Sequence, residues 1–245
     1  MKKSKREPEL DEAIDDPDPS VSLNPWSNVV CASSGEIRRL SNVWRYSSIP
    51  ITTPENVADH SFWVVLYAVM IHQELQRQSS SRERKKYGKQ SVLLAIMLKA
   101  ATHDMGEAVT GDVVRPFKYS SSALKKEMDR AEKDMIENLI PTAVKQVSWL
   151  ADQTAAQASA ATYVDAVVKA ADFMSLYQFM RREVLRGNCE IRNFLHRMVE
   201  DFSVMHSSNM TEAYPLNKLS PYYQFLEKES KKLHAVTVEA RRKVV

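Results

Sequence analysis

The run Val92-Leu93-Leu94-Ala95-Ile96-Met97-Leu98 leads into Thr102-His103-Asp104-Met105-Gly106-Glu107-Ala108-Val109-Thr110-Gly111-Asp112. The first part is apolar enough to be a buried helix, and it predicts a helix from about Ser91 to Glu107. The second part places an imidazole and a carboxylate side by side at the end of that helix. Such groups are costly to bury unless something satisfies them, and a metal ion does so.

Working outward, the same helical logic covers the chain. Residues Asn56 to Gln78 carry Phe62, Trp63, Val65, Leu66, Val69 and Met70, apolar nearly all round, which predicts a central helix. Ile37, Leu40 and Val43 stand three apart and predict a short helix, with Ser33 or Ser34 as its cap. Residues 44–54, with Pro50 and Pro54, read as a connecting loop, and the polar residues 79–90 as another. The loop from Gly111 to Ser122 contains Pro116, and helices follow at about 123–139 and from Thr142. Tyr163 to Arg186 has a long apolar face closed by Gly187, and further helices are expected at 190–206 and 220–241. No alternating strand pattern and no Gly-rich phosphate loop stand out. The expectation is one all-α domain, a bundle of six to eight helices over residues 25–245. A polar arm, 1–24, precedes it, basic at Lys2, Lys3, Lys5 and Arg6 and acidic at Asp15, Asp16 and Asp18.

Composition narrows the function. A hydrophobic fraction of 44% supports a real core. A net charge of +3 gives no field for nucleic acid, so no nucleic-acid partner is expected. Cys31 and Cys189 form no disulfide framework and read as free thiols of a reducing compartment. No apolar run reaches the length of a membrane span, and no apolar stretch follows the basic N-terminus. The expected location is the cytoplasm.

Two of the six histidines occupy special places. His60 opens the helix that follows Asn56, and His103 is next to Asp104. Asp172 lies in the apolar face of the later long helix, where a carboxylate needs a partner. Two imidazoles and two carboxylates suit one divalent ion: Co, Mn, Mg, Zn or Fe. Their wide spacing fits a site assembled inside a helical bundle.

The order His60 … His103-Asp104 … Asp172 resembles the H…HD…D pattern of the HD-domain metal-dependent phosphohydrolases. Glu55-Asn56-Val57-Ala58-Asp59-His60-Ser61 is similar to the E-N-V-(S/A)-E-H-S segment of their bacterial 5′-deoxynucleotidase branch. The run from His103 to Asp112 resembles H-D-x-x-E-x-x-T-G-D of that branch, and Lys169-Ala170-Ala171-Asp172 its K-x-A-D. The resemblance covers about residues 36–200. It implies an all-helical homodimer that binds one divalent metal through His60, His103, Asp104 and Asp172 and hydrolyses deoxynucleoside 5′-monophosphates. Asp59 replaces the usual Glu before the first metal histidine. The branch's Arg-Trp pair, which serves the phosphate and sugar, corresponds to Arg45 and Tyr46, with Trp44 on the other side.

Within that frame Glu107 would lie on the same helix face as His103 and Asp104 and act as general base or acid. Asp112 is a candidate contact for a sugar hydroxyl or a water. Arg45 matches two phosphate oxygens at once, and Lys118 is a second phosphate candidate. Asp165 reads as a helix-start charge rather than a ligand. The rival substrate is a deoxynucleoside triphosphate, cleaved by a triphosphohydrolase of the same superfamily. The alternative of another class is a non-catalytic nucleotide-binding module.

Overall fold

The structure is a computed structural model describing residues 36–113, 120–139, 142–208 and 216–242. The arm at 1–24, Ser33, Ser34, Pro116 and Lys118 lie outside the described residues. Among the described residues there is no strand, only an isolated antiparallel bridge between Trp44 and Asn56. A 3-10 helix, Glu36–Asn42, comes first. Its three-residue period is the spacing of Ile37, Leu40 and Val43. The α-helices that follow are α1 (Val57–Gln78), α2 (Ser81–Tyr87), α3 (Gln90–Thr102), α4 (Glu107–Thr110), α5 (Ser122–Leu139), α6 (Thr142–Gln157), α7 (Ala161–Leu185), α8 (Cys189–Ser208) and α9 (Leu216–Arg242).

The described helices exceed the expected six to eight because α2 and α4 are short and polar flanks hide them. The stretch 79–90, expected as a loop, contains α2. Ser80 caps it by accepting from the Glu83 N–H, and Glu83 returns the bond to the Ser80 N–H.

The expected helix to Glu107 ends early, at Thr102. His103–Gly106 form a turn, and α4 starts anew at Glu107. Thr102 helps to close α3 by bonding the Leu98 carbonyl. Gly111 ends α4 with φ 72°, and its N–H reaches the Glu107 carbonyl. A side chain with a Cβ is strained in that conformation, so glycine is required between Thr110 and Asp112.

The central helix is α7, not α1. Residues on nearly every side of α7 are buried, from Tyr163 to Val184. In α1, by contrast, Phe62, Leu66 and Met70 are 59%, 40% and 61% exposed, a stripe at helical spacing that faces solvent. Helix α1 packs on α7 and α3, α3 on α6, and α8 on α9 and α7. His72 meets Tyr163 and His60 meets Ser175, so α1 and α7 run antiparallel. Asn56 starts α1 by accepting from the Asp59 N–H at 2.8 Å. No described helix is long and apolar enough to cross a membrane.

Candidate metal centre and substrate arm

The three packed helices α1, α3 and α7 bring His60, His103, Asp104 and Asp172 together. His60 Nε2 lies 3.1 Å from Asp172 Oδ1 and 3.5 Å from Asp104 Oδ2. His103 Nε2 lies 3.1 Å from the same Asp104 oxygen. Ligand atoms of His60, His103 and Asp172 all fall within 4.8 Å of one another. Asp172 is 28% exposed rather than fully buried, because it borders the cleft.

The far side of each ring is fixed. His103 Nδ1 is 2.8 Å from the Ala100 carbonyl, which can only accept. The proton therefore sits on Nδ1, and in the neutral ring Nε2 presents its lone pair to the cluster. His60 Nδ1 pairs with Ser175 Oγ at 3.0 Å. Among the described residues, both Nε2 atoms are buried without a hydrogen-bond partner. Two imidazoles and the Asp172 carboxylate converging within 4.8 Å, with the Asp104 carboxylate against both rings, are a donor set that fits a divalent cation.

The electrostatics agree. Desolvation would raise the Asp104 and Asp172 carboxyls, but the neighbouring imidazoles hold both below the usual carboxylate range. Burial would lower His103, yet Asp104 beside it carries it up to about 9. The cluster is thus a place where positive charge is favoured. His60, more deeply enclosed, is lowered by burial.

Glu107 and the cluster meet through a turn, not along one helix. Its N–H bonds the Asp104 carbonyl at 3.0 Å. Its Oε2 is buried with no hydrogen-bond partner among the described residues. Burial, and then the Asp104 carboxylate, push its carboxyl up to about 8. Such a group can hold or release a proton near neutral pH.

Arg45 and Tyr46 reach the site on a short arm. The Arg45 N–H bonds the Glu55 carbonyl at 2.9 Å, and the Val57 N–H bonds Val43 at 3.0 Å. Arg45 Nε and Nη1 are buried without a hydrogen-bond partner among the described residues. Burial acts to lower the guanidinium, but Tyr46, Asp104, Asp172 and Glu107 together hold it above its ordinary value. Tyr46 has φ 62°, unusual for a non-glycine residue. Its ring stacks on Phe179 at 4.6 Å, and burial raises its hydroxyl well above the ordinary range. Asp112 Oδ2 accepts from the Tyr46 N–H at 3.0 Å, which ties the turn after α4 to the arm. One Asp112 oxygen is therefore committed to placing Tyr46. Asp165 lies apart from the cluster and pairs with Lys99 at 2.7 Å.

The sequence reading missed three participants. Ser175 orients His60, and its place three residues after Asp172 on one helix was a usable signal. Glu55 is buried near Arg182, 3.6 Å away, and burial raises its carboxyl to about 7. Glu183 is 1% exposed and bonds the loop before α1. In sequence it is one charged residue in Arg181-Arg182-Glu183, with nothing to distinguish it.

The family model described as 5′-deoxynucleotidase YfbR-like matches residues 34–222. The chain is 25% identical over 174 residues to the 5′-deoxynucleotidase YfbR of Salmonella typhi, covering 71% of this chain and 83% of that protein. The match to the protein of the same name from Salmonella arizonae has the same identity and coverage. Among solved structures, the fold is similar to that of the cyanophage S-2L HD phosphohydrolase DatZ, bound to dA and one catalytic Zn2+ ion. The TM-score is 0.53 at 19% identity, over 80% of this chain and 95% of that one.

Proposed function

The chain belongs to the 5′-deoxynucleotidase YfbR-like family, and from that premise we propose that it hydrolyses deoxynucleoside 5′-monophosphates to deoxynucleoside and phosphate. In this reading His60, His103, Asp104 and Asp172 hold one divalent metal ion. A bound ion of that kind lowers the pKa of a coordinated water and polarises a phosphoryl oxygen.

The remaining work falls to the chain's own side chains. Arg45 offers its buried, unbonded nitrogens to two phosphate oxygens. Lys118 is a second phosphate contact by its place in the sequence. Tyr46 presents its ring and hydroxyl beside the sugar. Glu107, whose carboxyl is raised by burial and the Asp104 carboxylate, is placed to give its proton to the 5′ oxygen as the ester bond breaks. Asp112 holds Tyr46 at its backbone. The observation that carries this reading is the pair of open histidine nitrogens facing two carboxylates, with Arg45 Nε and Nη1 also lacking a hydrogen-bond partner among the described residues.

The test starts from metal-stripped protein. Adding Mn2+, Co2+ or Mg2+ in turn should restore phosphate release from dAMP, with AMP a poorer substrate. Release of triphosphate from dATP in place of that activity would overturn the monophosphate assignment. No turnover of any nucleotide would leave a binding module instead.

The solvent-facing stripe Phe62, Leu66 and Met70 supports a homodimer in which a second copy covers α1. Light scattering reads this directly, and Leu66→Glu should yield monomers. With a nucleotide substrate, the protein belongs in the cytoplasm.

A further inference from the structure

Glu183 is a carboxylate at the end of the central helix, away from the metal ligands, and it is almost wholly enclosed. Its oxygens accept from the Thr52 N–H at 2.6 Å, the Thr52 hydroxyl at 2.8 and 2.9 Å, the Thr53 N–H at 3.2 Å and the Asn188 amide at 3.0 Å. Desolvation would raise its carboxyl, but these donors hold it below the usual range. Asn188 also donates to the Pro50 carbonyl at 2.8 Å, and Arg186 donates to the Thr53 hydroxyl. The segment 50–53 is thus bonded by side chains to the last turn of α7 and the turn after it.

That segment is the return limb of the arm bearing Arg45 and Tyr46. The other limb is pinned to the start of α1 by the Trp44–Asn56 bridge. Tyr46 sits at the bend, at positive φ, with its ring on Phe179, one turn of α7 before Glu183. A non-glycine residue stays in that conformation only when its surroundings over-determine it. Packing supplies part of the constraint, since Tyr46, Ile49 and Ile51 lie against the core. Beyond them an open pocket of about 220 Å³, bordered by Thr53, Glu55, Phe179 and Glu183, lies beside the limb. There the limb is held by its hydrogen bonds to Glu183, Arg186 and Asn188.

We propose that Glu183 is a positioning residue for substrate binding: by bonding Thr52 and Thr53 it fixes the arm that aims Arg45 and Tyr46 at the nucleotide. This rests on the deoxynucleotidase reading for what the arm binds, but not for how it is held. Arg45 and Tyr46 grip the phosphate and sugar in the bound and reacting states alike. Loosening them raises KM more than it lowers kcat.

The test uses the full chain with metal and the variants Glu183→Gln and, as a milder change, Thr52→Val. Glutamine keeps one acceptor but turns an NH2 toward the Thr52 and Thr53 donors. Losing a hydrogen bond to a charged acceptor corresponds to about a tenfold change. KM for dAMP should rise about tenfold in Glu183→Gln and less in Thr52→Val, with kcat and Co2+ affinity unchanged. In parallel, limited trypsin digestion is followed by mass spectrometry at two bonds. Cleavage after Arg45 should accelerate in Glu183→Gln, while cleavage after Lys169, in the central helix, should not. Equal acceleration at both bonds would mean general loosening, and no change at Arg45 would mean the arm is held otherwise. Either result overturns the proposal. If the parent hydrolyses no deoxynucleotide, the functional reading fails, and the ratio of the two cleavages still decides the role of Glu183.

Discussion

Helices α1 and α7 bury a histidine against each other at both ends of their contact, and the two ends differ. At one end His72 Nδ1 meets the Tyr163 hydroxyl at 2.8 Å, and Gln76 donates to that hydroxyl at 3.0 Å. Tyr87 stacks on Tyr163 at 4.5 Å and closes the group. At the other end His60 has one nitrogen on Ser175, while the second faces Asp104 and Asp172 without a hydrogen bond. The same residue type on the same helix pair is structural where its neighbours are neutral hydroxyls and amides. Where they are carboxylates and a second imidazole, its Nε2 is left open to a ligand. Burial does not separate them, since both rings are enclosed. What separates them is the partner each ring meets: His72 a neutral hydroxyl, and His60 Nε2 two carboxylates, while Gln76 Oε1 also lacks a partner among the described residues.

The sharpest way to break this comparison is to remove charge from the open end. Asp104→Asn should reduce metal-dependent phosphate release from dAMP to background while circular dichroism stays that of the parent. Parent-like turnover with metal supplied would sink the site assignment. Next in size is Arg45→Ala. It should raise KM for dAMP by about ten- to a hundredfold, the value of a hydrogen-bonded charge contact. Arg45→Lys should recover only part, because lysine cannot grip two oxygens in one plane.

The closed end should behave in the opposite sense. His72→Ala should lower stability by about 1–3 kcal/mol, the cost of breaking a buried hydrogen-bond group, as read by urea denaturation. Its kcat/KM should match the parent's. An active-site-sized loss there would erase the distinction between the two ends. Acid sharpens it further. Burial lowers the folded His72 pKa below the ordinary value of 6.5. The unfolded chain therefore takes up the proton first, so this stability is complete above about pH 6.5 and is lost as pH falls toward the folded value. His72→Phe should flatten that part of the stability profile measured between pH 7 and 5. The smallest effect belongs to the surface. Lys99 pairs with Asp152 and Asp165 where water screens the charges. Asp165→Asn should cost no more than about 1 kcal/mol and leave activity alone.

The two ends were also unequally legible. His60, His103, Asp104 and Asp172 stand out in the sequence through the adjacent His103-Asp104 pair and the order in which the four occur, since a buried histidine or carboxylate taken singly is ambiguous. His72 is ambiguous in that way, and nothing along the chain says that Tyr163, 91 residues away, satisfies it. Glu107 lies next to Asp104, but not by the geometry that its spacing implies. The spacing suggested one continuous helix face, whereas a turn at His103–Gly106 brings its N–H to Asp104. Position alone makes Asp112 a candidate contact for sugar or water, whereas the fold gives one of its oxygens to the Tyr46 backbone 66 residues away.

The sequence by itself determined the helical character of the described chain and the kinds and order of the clustered side chains. These follow from periodicity and side-chain chemistry. Only the tertiary structure decided that α7 rather than α1 is central, since an apolar stripe looks the same whether the chain covers it or leaves it to solvent. The tertiary structure also decided where α3 stops, which histidine is closed by its neighbours, and that Glu183 holds a loop 131 residues away. Those outcomes depend on which hydrogen-bond donors and acceptors meet across the fold, and no local pattern in the chain encodes that pairing.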